Sequence, residues 1–196
     1  MQKINLKNFF SDNPKHKYAC AKEAITISKT NPKLLYSDFD FFLQFLEGEN
    51  KILKWTAIQI IGNISKVDNK KKVDKLIPKF ITLLSGQSLI TAANTIGALA
   101  EIAKNKPSYQ NKILKALLQM EKAEFYNKGK SSPECRNVAI GQVINSLDKF
   151  GQTVYNKKEV KNFLKRQTKN TRPKVRQSAK NLLSQTNETK PGKKRP

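Results

Sequence analysis

The chain has 196 residues and carries 38 Lys+Arg against 15 Asp+Glu, a net charge of +23. It is long enough for one well-buried domain or a short solenoid, and no apolar run approaches the roughly 18 residues of a membrane-spanning helix. So large a basic excess favours a polyanionic partner such as nucleic acid, ribosome or anionic lipid, although an AT-rich genome also raises Lys together with Asn and Ile. Cys20 and Cys135 are too far apart in sequence to suggest a disulfide framework. They imply a reducing interior. The opening MQKINLKNFF is too short and polar for a signal peptide, so a cytoplasmic protein is expected.

In chain order, Ile4, Leu6, Phe9 and Phe10 precede a predicted helix over about Pro14–Ser28. Asn31-Pro32 ends it and opens another, to about Leu46, with Pro suited to a first turn. Phe39, Phe42, Leu43 and Leu46 form its stripe, widened by Phe41 and Phe45. The spacing predicts burial between a capping repeat and the next, although an aromatic cluster is also a potential binding surface. Asp38, Asp40, Glu47 and Glu49 make this the one acidic segment. The next helix, Asn50–Lys66, holds the single tryptophan, Trp55. Base stacking is one role for it; packing beside a core alanine is the more common one.

Two amphipathic helices follow over Lys70–Lys104. Val73, Ile77, Phe80 and Leu84 form one helical stripe. Ser85-Gly86-Gln87 breaks the pattern with turn chemistry, and Leu89, Ala93, Ile96, Ala100 and Ala103 form a second stripe. Lys106-Pro107 opens a helix over Ser108–Ala123. Glu124–Glu134 reads as an inserted loop, in which Phe125 and Tyr126 sit beside Lys128 and Lys130. That combination suits a nucleotide by stacking and charge. The other reading has both rings pinning the loop to its scaffold. Helices over Cys135–Phe150, Lys157–Lys169 and Pro173–Gln185 complete the array.

The pair around Lys70–Lys104 resembles a HEAT repeat. Leu76-Ile77-Pro78 and Leu83-Leu84 match that family's first helix, and Leu89…Ala93…Ile96-Gly97 matches its second. The second-helix pattern recurs as Leu53…Ala57…Ile61-Gly62, Cys135…Ala139…Val143 and Val175…Ala179…Leu182-Leu183, with a weaker copy at Cys20…Ala24…Ile27. The alanines at 24, 57, 93, 139 and 179 are separated by 33, 36, 46 and 40 residues, a period expected of HEAT and armadillo arrays. The expected fold is therefore all-α, a right-handed solenoid of about five HEAT-like repeats with the first partial. It forms one domain over residues 1–185. Residues 186–196 form a basic tail without apolar periodicity, expected to be disordered alone.

No catalytic constellation can be assembled. His16 is the single histidine, the cysteines lack metal-ligand spacing, and no phosphate loop or nucleophile elbow occurs. The chain also bears a distant similarity to HEAT-like DNA glycosylases for alkylated bases. That resemblance would imply a groove carboxylate with tryptophans and an arginine, but no acid lies near Trp55 between Asn50 and Val67. Their motif carries over to no residue, so no enzyme, cofactor or metal is expected.

In HEAT proteins the second helices line the concave surface, and the resemblance implies the same here. Three residues before the marker alanines stand Lys54, Ile90, Arg136 and Arg176. Two residues after them stand Gln59, Thr95, Gly141 and Asn181, with Asn63 and Asn145 a turn further on. Such donors and amides suit phosphate and sugar contacts, or an extended peptide. From Gly151 onward there are 14 Lys+Arg and 2 acids. Lys165, Arg166, Lys169, Arg172, Lys174 and Arg176 are expected to form one cationic surface over the last repeat. The leading expectation is a monomeric, non-enzymatic module binding nucleic acid through its phosphate backbone. The alternative is a protein scaffold for an acidic partner.

Overall fold

The computed structural model describes residues 4–85 and 88–188, with side chains as far as Ser184. Among these residues ten α-helices follow one another: α1 (Pro14–Thr30), α2 (Lys33–Tyr36), α3 (Phe39–Glu47), α4 (Lys51–Ile64), α5 (Ile77–Leu84), α6 (Leu89–Asn105), α7 (Gln110–Leu118), α8 (Pro133–Ser146), α9 (Lys158–Gln167) and α10 (Pro173–Glu188). Between α7 and α8 lies an antiparallel hairpin, β1 (Tyr126–Asn127) with β2 (Lys130–Ser131). No helix among the described residues is long and apolar enough to cross a membrane.

The second helices α1, α4, α6 and α8 each start where a side chain satisfies an orphan N–H group. Asn13, Asn50, Ser88 and Ser132 each accept from a backbone N–H two or three residues on, a cap contributing about 1 kcal/mol. Counted from these caps, the buried positions coincide. After Asn50 they are Ala57, Ile58, Ile61, Gly62 and Ile64; after Ser88, Thr95, Ile96, Leu99, Ala100 and Ile102; after Ser132, Ala139, Ile140, Val143, Ile144 and Ser146. An α-solenoid needs this regularity, because each apolar face is covered only by the neighbouring repeat.

The central repeat registers on Thr95 rather than on Ala93. Ala93 is half-buried, whereas Thr95 is fully buried. The Thr95 hydroxyl donates to the Thr91 carbonyl at 2.8 Å, which satisfies the one polar atom and lets threonine fill an alanine slot. The spacings 57→95 and 95→139 are then 38 and 44 residues.

Helices α1, α4, α6, α8 and α10 stack consecutively in one layer, while α3, α5 and α9 pack on α4, α6 and α10 from the other side. One hydrophobic cluster runs through the whole array, from Phe9 to Ala179. Phe9 closes its N-terminal end, with its ring against Phe41, Phe42 and Phe45 at centroid distances of 5.4, 6.0 and 5.4 Å. The aromatic run is therefore largely core, and only Phe10 of this group stands well exposed, at 60%.

A buried ion cluster ties the α4–α5 connection to the end of α6. The Asp68 carboxylate accepts from Tyr36 Oη (2.7 Å) and from the backbone N–H groups of Lys72 (2.8 Å) and Val73 (2.9 Å). Lys106 Nζ lies 2.9 Å from Asp68 and 2.5 Å from Asp74. Burial alone would raise the Asp68 pKa. The donors from Lys106, Tyr36, Val73 and Lys72 outweigh it and hold the carboxyl below its ordinary value.

Three boundaries differ from the sequence reading. The helix expected over Pro32–Leu46 breaks at Ser37-Asp38, residues that favour caps over helix interiors. Over Ser108–Ala123 only Gln110–Leu118 is α-helical, flanked by tighter 3₁₀ turns. Helix α10 continues to Glu188, past the boundary expected at residue 185. Gly86 and Gln87 of the expected turn, and residues 189–196 with Lys193-Lys194-Arg195, lie outside the described residues.

Candidate functional site

The exposed face of the second-helix layer forms a groove of polar and small side chains. Five, nine and thirteen residues after the caps stand Trp55, Gln59 and Asn63 on α4 and Ala93, Gly97 and Glu101 on α6, with Gly141 and Asn145 at the last two positions on α8, where the first, Asn137, is buried against Asn170 and Thr171. Gln59, Asn63, Ala93, Gly97 and Glu101 line one open pocket between α4 and α6. Gly141 and Asn145 line its counterpart between α8 and α10, with Arg172 and Lys174. Small residues on α6 keep the floor open: a Cβ built on Gly97 would meet nothing within 4 Å.

Polar bonds between successive helices hold this floor. Trp55 Nε1 donates to Thr91 Oγ1 at 3.0 Å, Gln59 Nε2 to Asn94 Oδ1 at 2.9 Å and Asn63 Nδ2 to Ser28 Oγ at 2.8 Å. Asn105 Nδ2 continues the series to Ser65 Oγ at 2.9 Å. Gln59 and Asn63 therefore spend one donor each on the neighbouring helix and keep their carbonyl oxygens for the groove. Trp55 is half-buried and bonded, in the packing role rather than as an open platform.

Along one rim of the groove runs a lysine row that was not singled out in the sequence. Lys29, Lys66 and Lys104 each stand sixteen residues after a cap, and Lys149 stands seventeen after Ser132. Lys29, Lys66, Lys104 and Lys149 line a single open pocket with Asn63, Asn105 and Glu101. Lys149 Nζ pairs with Glu101 at 2.8 Å, a hydrogen bond that raises the lysine pKa above its ordinary value. Lys29, Lys66 and Lys104 are exposed and have no hydrogen-bond or ion-pair partner among the described residues. A lysine at a helix C-terminus complements the helix dipole by about 0.3–1 kcal/mol. That accounts for one lysine per helix, not for their meeting in one pocket. Counting from the caps would have revealed the row; counting from the marker alanines hid it.

The cations expected to form one surface over the last repeat are divided by acids of the preceding one. Arg166 forks onto Glu121, with Nε–Oε2 at 2.9 Å and Nη2–Oε1 at 2.8 Å. Arg172 pairs with Glu134. Arg176 Nη1 donates to the Asn170 carbonyl at 2.9 Å, so it braces the α9–α10 turn instead of being free for an external ligand. Arg136 shares a cleft with Arg166, Glu121 and Lys122 at the end of α7, away from the groove. Lys174 lies with Arg172 at the α8–α10 end of the groove. Lys165 and Lys169 are exposed with no partner among the described residues, and Lys54 is half-buried on α4. Asn181 accepts from Gln177 Nε2 at 2.8 Å.

The inserted segment is a hairpin whose two-residue turn, Lys128-Gly129, has φ values of 50° and 77°. Positive φ at both positions is the type I′ geometry that matches strand twist. Phe125 is 1% exposed and anchors the hairpin in the core, which removes it as a stacking residue. Its neighbour along the strand points the other way, and Tyr126 is 42% exposed beside exposed Lys128 and Lys130. Among the described residues no group of three His, Cys, Asp or Glu side chains is placed to hold a metal ion.

No family model matches the chain, and no curated protein does. In fold it is similar to a designed armadillo repeat protein solved in complex with the peptide (KR)4, with a TM-score of 0.58 and 14% identity, over 91% of this chain and 78% of that one. An engineered protein matches with a TM-score of 0.46 and 15% identity, over 91% of this chain and 95% of that one. Another designed armadillo repeat protein matches with a TM-score of 0.38 and 14% identity, over 91% and 96%. The class is thus an all-α solenoid of the HEAT/armadillo-like kind.

Proposed function

We propose that the protein is a non-enzymatic, monomeric binding module that holds single-stranded nucleic acid in its concave groove, mainly through phosphates. The observation that carries this reading is the segregation of charge. Lys29, Lys66 and Lys104 line one rim without partners, while the floor beside them is made of amides, small residues and one carboxylate, Glu101. A nucleic acid strand has the complementary layout, with its anions along one edge and hydrogen-bonding bases along the other. The structurally similar designed repeat protein was solved with a basic peptide; a lysine-rimmed groove on the same scaffold calls for the opposite charge.

An acidic protein segment is the second reading, since it too would neutralise the rim. It would, however, bring further carboxylates against Glu101. Fluorescence anisotropy with a random single-stranded 20-mer and a 20-residue poly-glutamate separates the two. The nucleic acid should bind at least about tenfold more tightly at moderate salt. Equal or tighter binding of poly-glutamate would transfer the groove to an acidic protein partner.

A further inference from the structure

We propose that Glu101 makes the groove selective among bases, favouring an amine-bearing edge over uracil or thymine. This rests on the nucleic-acid reading and goes beyond backbone binding. Glu101 occupies the groove position that neighbouring helices fill with Asn63 and Asn145, and both adjoining pockets reach it. Ala93 and Gly97 precede it by two turns and by one turn on the same face of α6, so a flat group can approach without meeting a large side chain. Across the slot, Gln59 and Asn63 hold their amide nitrogens toward Asn94 and Ser28. Their carbonyl oxygens are left as further acceptors.

The floor is therefore rich in acceptors while the rim is rich in cations. A strand whose phosphates lie on Lys29, Lys66 and Lys104 brings its bases to this floor. Guanine presents two adjacent N–H donors, and adenine and cytosine each present an exocyclic amine. Uracil and thymine offer one N–H flanked by two carbonyl oxygens, which a carboxylate repels. Lys149, 2.8 Å from Glu101 Oε1, holds the carboxylate turned to one side, and the second oxygen remains for the base.

The test uses the full chain and labelled single-stranded 12-mers, U12, (UG)6, (UC)6 and (UUA)4, with anisotropy as the readout. Wild type should bind (UG)6 at least about fivefold more tightly than U12, the low end of what a good base contact contributes. Glu101→Gln should abolish that ratio, and Lys149→Ala should keep it, because Glu101 is then freed rather than lost. Thermal melts of both variants establish that the fold is retained. Equal binding of all four oligomers by wild type would overturn the base-reading role and leave the phosphate reading intact. So would a Glu101→Gln variant that gains affinity for every oligomer by one common factor, since Glu101 would then be only a counter-charge for Lys149. Failure of wild type to bind any oligomer would end both proposals.

Discussion

Gly62 and Ala98 mark the tightest crossing in the stack: a Cβ on Gly62 would fall 2.7 Å from the Ala98 Cα and 2.8 Å from its Cβ. Eight of the 14 residues of helix α4 are buried, Ile58, Ile61 and Ile64 among them, so neither helix can retreat without opening the core. Backbone atoms, unlike the end of a flexible side chain, cannot step aside.

Gly62→Ala should therefore destabilise, against the helix propensity that normally favours alanine by about 1 kcal/mol. Overpacking of this kind costs about 1–3 kcal/mol. Gly97→Ala, at an open position on the next helix, should be neutral or stabilising. Chemical denaturation of the two variants checks this. Equal effects would mean that α4 and α6 do not cross there.

The repeat register makes a second contrast. Thr95→Lys places an ammonium in a fully buried slot, whereas Ala93→Lys adds one more amine to a half-buried groove position. The first should cost several kcal/mol, in the range expected of an uncompensated buried charge, and the second much less. Melting temperatures that fall equally would contradict the register counted from the caps.

That contrast also shows what the sequence could and could not disclose. The stripe Val73, Ile77, Phe80 and Leu84 is buried as its periodicity predicts, because a lone amphipathic helix has only one face to hide. Ala57, Ala139 and Ala179 likewise mark core positions. Ala93 misled because Ala92 and Ala93 both look small and apolar, and the threonine in the true slot hides its polarity in a bond to its own helix. The groove residues Gln59, Asn63 and Asn145 were legible once the second helices were placed. The rim lysines were not, since in so basic a chain one more lysine at a helix end carries no signal until the repeats are aligned on their caps. Pairing was also illegible: nothing in the run from Lys165 to Arg176 discloses that Glu121 and Glu134, a repeat away, claim two of its arginines.

The Asp68 cluster predicts a definite pH dependence. Its carboxyl lies below the ordinary value of 3.8, so its stabilising contribution is fully present above about 3.8 and is lost as pH falls through the lower folded-state value. For Lys106, burial alone would lower the pKa, but Asp74 and Asp68 raise it above 10.5. That contribution is present below 10.5 and fades only as pH rises through the raised value. Asp68→Asn cannot accept on both edges and leaves Lys106 with Asp74 alone. The loss at neutral pH should be about 3–5 kcal/mol, as for a broken buried pair. Urea melts should show the gap between wild type and variant closing below about pH 4. A gap unchanged down to pH 3 would contradict the assignment.

The hairpin separates packing from binding within two adjacent residues. Phe125→Ala should cost about 3–5 kcal/mol of stability, as for other buried aromatics, whereas Tyr126→Ala should stay within about 0.5 kcal/mol. Any weakening of nucleic-acid binding that accompanies loss of an exposed ring should then appear in the Tyr126 variant alone. A Phe125 variant that melts like wild type would return that ring to the surface.

The central claim, that the rim lysines grip phosphates, is tested most directly by the salt dependence of binding to a random single-stranded 20-mer. Each phosphate neutralised adds about 0.7 to the slope of log affinity against log salt for single strands. The account predicts a steep slope for wild type and one shallower by about 2 for a Lys29/Lys66/Lys104→Gln variant whose melting is unchanged. An identical slope in the two proteins would contradict it.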